Sequence, residues 1–240
     1  MRLSDFTTLT FDCYGTLIDW ERGIAAELRT WADRNRLKLD DGALLEAFGR
    51  AESPVQRAHP NWLYPDILAE SLRALGKQLG APVSAEEATG FGRSVGRWPA
   101  FPDSPDALAY LKRHFKLCIL SNVDRASFAE SNRRLGVEFD LIVTAQDVGS
   151  YKPDRRNFQH LLAALGRMGI EKRQVLHTAQ SLFHDIAPAK ALGLKTAWIN
   201  RRRGKAGGGA TPAPESDATP DLEVASLAEF AELHRREARS

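Results

Sequence analysis

The chain has 240 residues, enough to bury a sizeable core as one large domain or as a core carrying an insertion. Its 33 Lys and Arg nearly balance 31 Asp and Glu, and a net charge of +2 leaves no electrostatic footprint for nucleic acid or an anionic membrane. No apolar run approaches bilayer length, Met1 to Asp12 lacks the layout of a signal peptide, and the two cysteines, Cys13 and Cys118, fall at core strands rather than in a disulfide framework; a cytoplasmic protein is expected.

The first apolar, β-branched run, Phe6 to Asp12, reads as a buried strand that delivers Asp12 to its carboxyl end. Gly15 then permits a tight turn, and Thr16 offers a hydroxyl beside the carboxylate. Cys13, next to that carboxylate, is expected to stay a thiol, because negative neighbours disfavour the thiolate.

From Leu17 to Phe101 the pattern is helical throughout. Ile24, Leu28 and Trp31 share one helix face, and Leu44, Leu45 and Phe48 a second. Ile67, Leu68, Leu72, Leu75 and Leu79 mark a third, and Ser84 with Glu87 forms a capping box for a fourth. The simplest reading is an all-helical cap over 18–102, inserted into a core made of 1–17 and 103–240. A cap placed there can close over Asp12 and exclude water.

Beyond Phe101, strands at Lys116–Ser121, Phe139–Thr144, Gln174–Thr178 and Leu194–Asn200 alternate with helices. Ser104-Pro105 reads as an N-cap with a first-turn proline, and Gly136, Gly166 and Gly193 read as stops for helices Arg125–Leu135, Arg155–Leu165 and Ile186–Leu192. Strand alternating with helix argues an α/β fold with a doubly wound parallel sheet. Arg201 to Pro220 has the composition of a solvated basic loop and linker. A short strand at Leu222–Val224 and a helix from Leu227 to about His234 close the chain.

Further polar groups stand at successive strand ends, where open α/β sheets bind ligands. Ser121-Asn122 ends the second strand. Tyr151-Lys152-Pro153-Asp154 follows the third. Gln180-Ser181-Leu182-Phe183-His184-Asp185 follows the fourth. Each alone is compatible with turn or capping chemistry; the ordered set is harder to reduce to that.

Asp12, Thr16, Ser121-Asn122, Lys152 and Asp185 match in order the four motifs of the haloacid dehalogenase superfamily, and the chain resembles its type II 2-haloacid dehalogenases. The resemblance rests on Phe11-Asp12-x-Tyr14-Gly15-Thr16-Leu17, Ser150-Tyr151-Lys152-Pro153-Asp154 and Ala197-Trp198-Ile199-Asn200-Arg201. It implies a Rossmann-like core, a helical cap, and hydrolysis of the carbon–halogen bond of a small 2-haloacid, with neither nucleic acid nor membrane as partner. A homodimer is left open. In that scheme Asp12 is the nucleophile, Thr16 steadies it, Lys152 keeps it ionised, and Asp185 orients Lys152 and the hydrolytic water. Tyr14, Ser121, Asn122, Gln180, Ser181 and His184 line or bind at the substrate pocket. A cap arginine captures halide, with Arg50 the first candidate and Arg57 the second; Trp62 and Tyr64 are further pocket candidates.

The chain departs from the family's patterns at informative places. Most phosphatases of the superfamily carry a second Asp two residues after the nucleophile, and here Tyr14 stands there. Another acid is usual four residues before the last Asp, and here Ser181 stands there. A phosphomonoester needs Mg²⁺ and an acid for its leaving group, whereas a halide leaves unprotonated. The residues therefore favour metal-independent substitution at carbon, with no cofactor. A Mg²⁺-dependent phosphatase and a silent binding protein are the alternatives. Against the dehalogenases themselves, Phe158 replaces a Tyr, Gln180 and Leu182 replace a Ser and an Asn, and His184 replaces an aromatic residue.

Overall fold

A computed structural model describes residues 1–204 and 218–239. Its centre is a six-stranded sheet, all parallel, in the order β3-β2-β1-β4-β5-β6. The strands are β1 (Thr8–Phe11), β2 (Lys116–Ser121), β3 (Leu141–Thr144), β4 (Val175–Ala179), β5 (Lys195–Ile199) and β6 (Leu222–Val224). This is the Rossmann order, and its reversal falls between β1 and β4, where Phe11 pairs with Thr178. A crevice opens at such a reversal, beyond the carboxyl ends of the strands.

Four helices, α1 (Trp20–Arg34), α2 (Asp41–Ala58), α3 (Tyr64–Leu79) and α4 (Ala85–Gly92), lie between β1 and β2 in the chain. Ser84 accepts from the Glu87 amide while Glu87 accepts from the Ser84 amide, which is the capping box expected at the start of α4. The chain leaves and re-enters the sheet along paired passages. Ile18 bridges Ala100, the Asp19 amide donates to Pro99 O, and the Phe101 amide donates to Leu17 O.

The remaining helices are α5 (Ser104–Leu111), α6 (Arg125–Leu135), α7 (Ala145–Val148), α8 (Arg155–Arg167), α9 (Ala187–Ala191) and α10 (Leu227–Glu237). Alternate residues of each strand serve opposite faces of the sheet. On β2, Leu117 and Ile119 join a core with Leu108 of α5 and Phe230 of α10, while Cys118 and Leu120 pack with Phe158, Leu161 and Leu165 of α8. Burial on both faces explains why these strands read as continuous apolar runs.

Several boundaries differ from the sequence reading. Ser104 is the first residue of α5 rather than its cap, because its hydroxyl donates to Leu17 O at 2.9 Å across the junction. Helix α8 runs through Gly166 to Arg167, and the left-handed glycine that ends this stretch is Gly169, at φ 75°. The segment after β4 opens with a single π-type turn, Leu182–Ile186, before α9 begins.

The basic run is not simply a solvated loop. Arg201 lies over the Phe101 ring at 4.1 Å, grips both Asp103 oxygens at 2.8 and 2.9 Å, and donates to Thr16 O. The rest of the expected linker, 205–217, lies outside the described residues. Among the described residues no helix is long and apolar enough to cross a membrane.

Candidate active site

Asp12 follows β1 directly and Asp185 sits in the π-type turn after β4, so the two carboxylates straddle the reversal in strand order. Lys152, from the loop between α7 and α8, lies between them. Its ammonium donates to Asp12 Oδ1 at 2.9 Å, Asp185 Oδ1 at 2.6 Å and Leu120 O at 3.0 Å. An ammonium has three N–H groups, and these three bonds use all of them.

The placement of Lys152 is fixed from its backbone. Asn122, just past β2, accepts from the Lys152 amide and donates to its carbonyl. The other Asp12 oxygen accepts from the Thr16 hydroxyl at 2.8 Å, and Thr16 in turn accepts from the Gln180 amide at 2.9 Å. Gly15 makes that approach of the turn to Gln180 feasible. It has φ 94°, and a Cβ there would stand 2.9 Å from Trp20 Nε1 and 3.0 Å from Gln180 Oε1.

With both carboxylates ionised, the triad Asp12–Lys152–Asp185 carries a net charge of −1, and all three side chains are buried. Burial pushes the Asp12 carboxyl up, against the pull of Lys152, and Asp185 pushes it further. Burial acts in the same sense on Asp185, but Lys152 and His177 outweigh it and hold that carboxyl below the ordinary range. The uncompensated charge thus bears on Asp12. Burial works against the Lys152 cation, yet its two carboxylate partners keep its pKa above the ordinary value.

His177 was not singled out from the sequence. It lies within β4, where Nε2 meets Asp185 Oδ1 at 3.0 Å and Nδ1 meets the Thr10 hydroxyl at 2.9 Å. An ionised Asp185 only accepts, so Nε2 donates in that bond, and Nδ1 shares the second bond with the Thr10 hydroxyl. Phe158, where the dehalogenases place a Tyr, packs edge-on against this imidazole with centroids 5.1 Å apart. No local signal marked it, because its partners Thr10 and Asp185 come from two other elements.

A pocket opens above the triad. Of the candidate residues, Asp12, Tyr14, Asn122, Lys152, Gln180, Ser181, His184 and Asp185 line it, together with Tyr64. Several have their polar atoms already engaged. Tyr14 shares a hydrogen bond with Ser131, and burial, then Cys13, raises its phenol well above the ordinary value. Ser181 accepts from the His184 amide, and burial lowers the His184 imidazole to about 4, so that ring is neutral at physiological pH. Ser121 is buried beneath the pocket rather than lining it. Burial likewise raises both cysteine thiols, Cys118 to about 12.

The expectation of a pocket arginine needs correcting. Arg50 and Arg57 are exposed, and neither lines the pocket. The helix repeat explains this: at about 100° per residue, Arg50 points roughly 200° away from Glu52 around α2. Glu52 and Gln56, one turn apart, are the α2 residues that face the pocket. The buried stripe of Leu44, Leu45 and Phe48 continues to Glu52 and Val55, and that continuation was the missed signal. Burial raises Glu52 to about 7, although Tyr64 donates to its Oε1 at 2.9 Å. Trp62 is also outside the pocket, exposed and stacked on His59.

A Mg²⁺ site of the kind used by the phosphatases does not fit these residues. Asp12 and Asp185 already share one ammonium, Tyr14 presents a neutral phenol, and Ser181 is spent on a helix cap. Among the described residues no group of three or more His, Cys, Asp or Glu is placed to hold a metal ion.

A strand-end carboxylate, a lysine and a second carboxylate thus meet at the reversal of a Rossmann-like sheet. Residues 6–193 match the model of the haloacid dehalogenase-like hydrolases, and the chain belongs to that family. It is 28% identical over 230 residues to an (S)-2-haloacid dehalogenase of Pseudomonas sp. strain YL, covering 94% of this chain and 93% of that one. It is 29% identical over 208 residues to a phosphoserine phosphatase of Thermus thermophilus, covering 83% and 76%. The crystal structure of an L-2-haloacid dehalogenase superposes with a TM-score of 0.76 at 25% identity, covering 98% of this chain and all of that one.

Proposed function

We propose that this hydrolase cleaves the carbon–halogen bond of a small 2-haloacid, a haloacetate or 2-halopropionate, without a metal and through an ester on Asp12. The observation that carries this reading is the set of bonds around Asp12. One oxygen is held by Lys152 and the other by Thr16, while the positions that would supply further acids for a metal hold Tyr14 and Ser181.

In the first step an Asp12 oxygen attacks Cα, the C–O bond forms as the carbon–halogen bond breaks, and halide leaves with the bonding pair. The dry surroundings leave the attacking carboxylate poorly solvated and reactive. In the second step water attacks the ester carbonyl, the acyl C–O bond breaks, the 2-hydroxyacid leaves with one water proton on its hydroxyl, and the other proton passes to solvent as the Asp12 carboxylate re-forms. Asp185 Oδ2 is buried, makes no hydrogen bond to a described residue, and is the acceptor that positions this water. Lys152 stabilises the charge that develops on the ester oxygen and then holds Asp12 as an anion again.

The test is halide release from chloro-, bromo- and fluoroacetate and from both 2-chloropropionate enantiomers, with and without excess EDTA. Release that persists in EDTA is expected. In ¹⁸O-labelled water with enzyme in excess, the product should be unlabelled and the peptide containing Asp12 heavier. Labelled product with a light Asp12 would show direct attack by water and overturn the covalent route. The phosphatase relative motivates one control. Phosphate release that requires Mg²⁺, without halide release, would replace this reading by the phosphatase one.

A further inference from the structure

The pocket must hold the carboxylate of a 2-haloacid, yet no free cation faces it among the described residues. The Lys152 ammonium is fully spent on Asp12, Asp185 and Leu120 O. Arg50 and Arg57 turn outward. Asn122 is committed to the Lys152 backbone, and Ser181 to the His184 amide. Glu52, in contrast, is only 7% exposed, lines the pocket with Asp12, and makes no ion pair to a described residue. An unpaired carboxylate at such a site costs several kcal/mol, whereas a neutral carboxyl there is a hydrogen-bond donor.

We propose that Glu52, as a neutral carboxyl, donates its proton in a hydrogen bond to the substrate's carboxylate and so selects and orients the substrate over Asp12. The assignment rests on the pocket above Asp12 being the substrate site. Its chemistry balances simply: one proton is shared between two carboxylates, the complex gains one negative charge rather than two, and no bond breaks. Tyr64, donating to Glu52 Oε1, and Gln56, one turn along α2, hold the Glu52 side chain at the pocket wall.

The consequence is a pH-dependent affinity. Ionised Glu52 repels an anionic ligand, so above about pH 7 binding requires proton uptake and weakens roughly tenfold per pH unit. Asp12 faces the same pocket and burial raises it too, so the part of the slope that Glu52→Gln abolishes is the part assigned to Glu52. Tyr64 from α3, Tyr151 from the loop before α8 and Tyr14 from the β1 turn are all raised well above their ordinary values by burial. His184 is neutral, and Lys152 stays charged between Asp12 and Asp185. From α1, Trp20 reaches the pocket and carries no charge.

The experiment is calorimetric titration of the full chain with acetate, and with acetamide as the neutral probe, between about pH 6 and about pH 8.5. Wild type should bind acetate near pH 6, lose affinity by roughly tenfold per unit above about pH 7, and take up close to one proton per acetate when two buffers are compared at the alkaline end. Glu52→Gln, a neutral donor at every pH, should bind acetate with the Glu52 part of that slope removed. Tyr64→Phe removes a hydrogen bond that favours the Glu52 anion and should move the break to higher pH, which covers the case of a poorly folded Glu52 variant.

Absence of acetate binding to wild type near pH 6, an unchanged slope in Glu52→Gln, or preferential binding of methylammonium with affinity rising with pH would each overturn the proposal. Halide chemistry is not needed for any of these readings. Acetate binding with the stated signature in an enzyme that releases no halide would refute the dehalogenase reading and leave Glu52 assigned. Halide release with a pH-independent KM would do the reverse.

Discussion

Replacing Lys152 by Met removes the cation between two buried carboxylates while keeping a side chain of similar length. At a charge separation of ~4 Å and an effective dielectric near ~20, the ammonium is worth about 4 kcal/mol to the ionised form of Asp12. Removing that interaction favours the neutral form, so the Asp12 pKa rises further. Asp12 is already the carboxyl that burial pushes up, so it is the one that takes the proton. The acid limb of the halide-release profile should therefore move to higher pH, with turnover depressed on its acid side and recovering in alkali.

Stability will also suffer, since breaking a buried pair by removing one partner costs about 3–5 kcal/mol, less whatever proton uptake recovers. The sign of its pH dependence follows. A folded-state pKa raised above the unfolded one contributes stability below the unfolded value and loses it as pH rises through the folded one, so Lys152→Met should be more stable in acid than in alkali. Infrared titration of the carboxylate bands reads the Asp12 pKa without any substrate. A variant whose acid limb and infrared titration both match wild type would refute this account of Lys152.

Other expected outcomes follow from contacts around the pocket. Because Glu52 is raised from 4.5 to about 7, the folded protein binds its proton more tightly than the unfolded chain, so it loses up to about 3 kcal/mol of stability as pH rises from about 4.5 to 7. Denaturant unfolding of Glu52→Gln across that range should lack this part of the decline. Gly23→Ala would place a Cβ 2.3 Å from Trp98 Cγ, and thermal denaturation should show a loss of about 1–3 kcal/mol. Thr16→Val removes a donor that favours the Asp12 anion; kcat/KM should fall by the equivalent of about 1–3 kcal/mol and the acid limb should move to higher pH.

Asp12, Lys152 and Asp185 were legible in the sequence because each stands in a short local pattern at the end of a strand or in the loop beyond it. The parallel sheet brings such ends together whatever the intervening chain does. Arg50 failed for a different reason. Choosing an arginine by its proximity to a motif ignores helical phase, and the apolar stripe of α2 pointed to Glu52 instead. His177 was hidden because a lone histidine in a strand signals nothing until its partners, Thr10 and Asp185, are known from two other elements. The hydroxyls of Ser104 and Ser181 have local capping as their ordinary use. Ser181 follows it, and Ser104 is drawn instead to a carbonyl 87 positions away in the chain.

The two sides of the pocket are built by different constraints, and this bears on how its chemistry can vary. The floor is held by backbone-anchored bonds: Asn122 clasps Lys152, Gln180 holds Thr16, and Arg201 pins Thr16 O while gripping Asp103. Changing any of these groups strands a buried donor or acceptor, so the floor resists substitution. The opposite side comes from α2 and α3, where Glu52, Gln56 and Tyr64 answer mainly to one another. A change of charge there alters what the pocket accepts without unmaking the Asp12 site. Hydrolases with such a floor can therefore diverge in substrate through a few positions on α2 and α3.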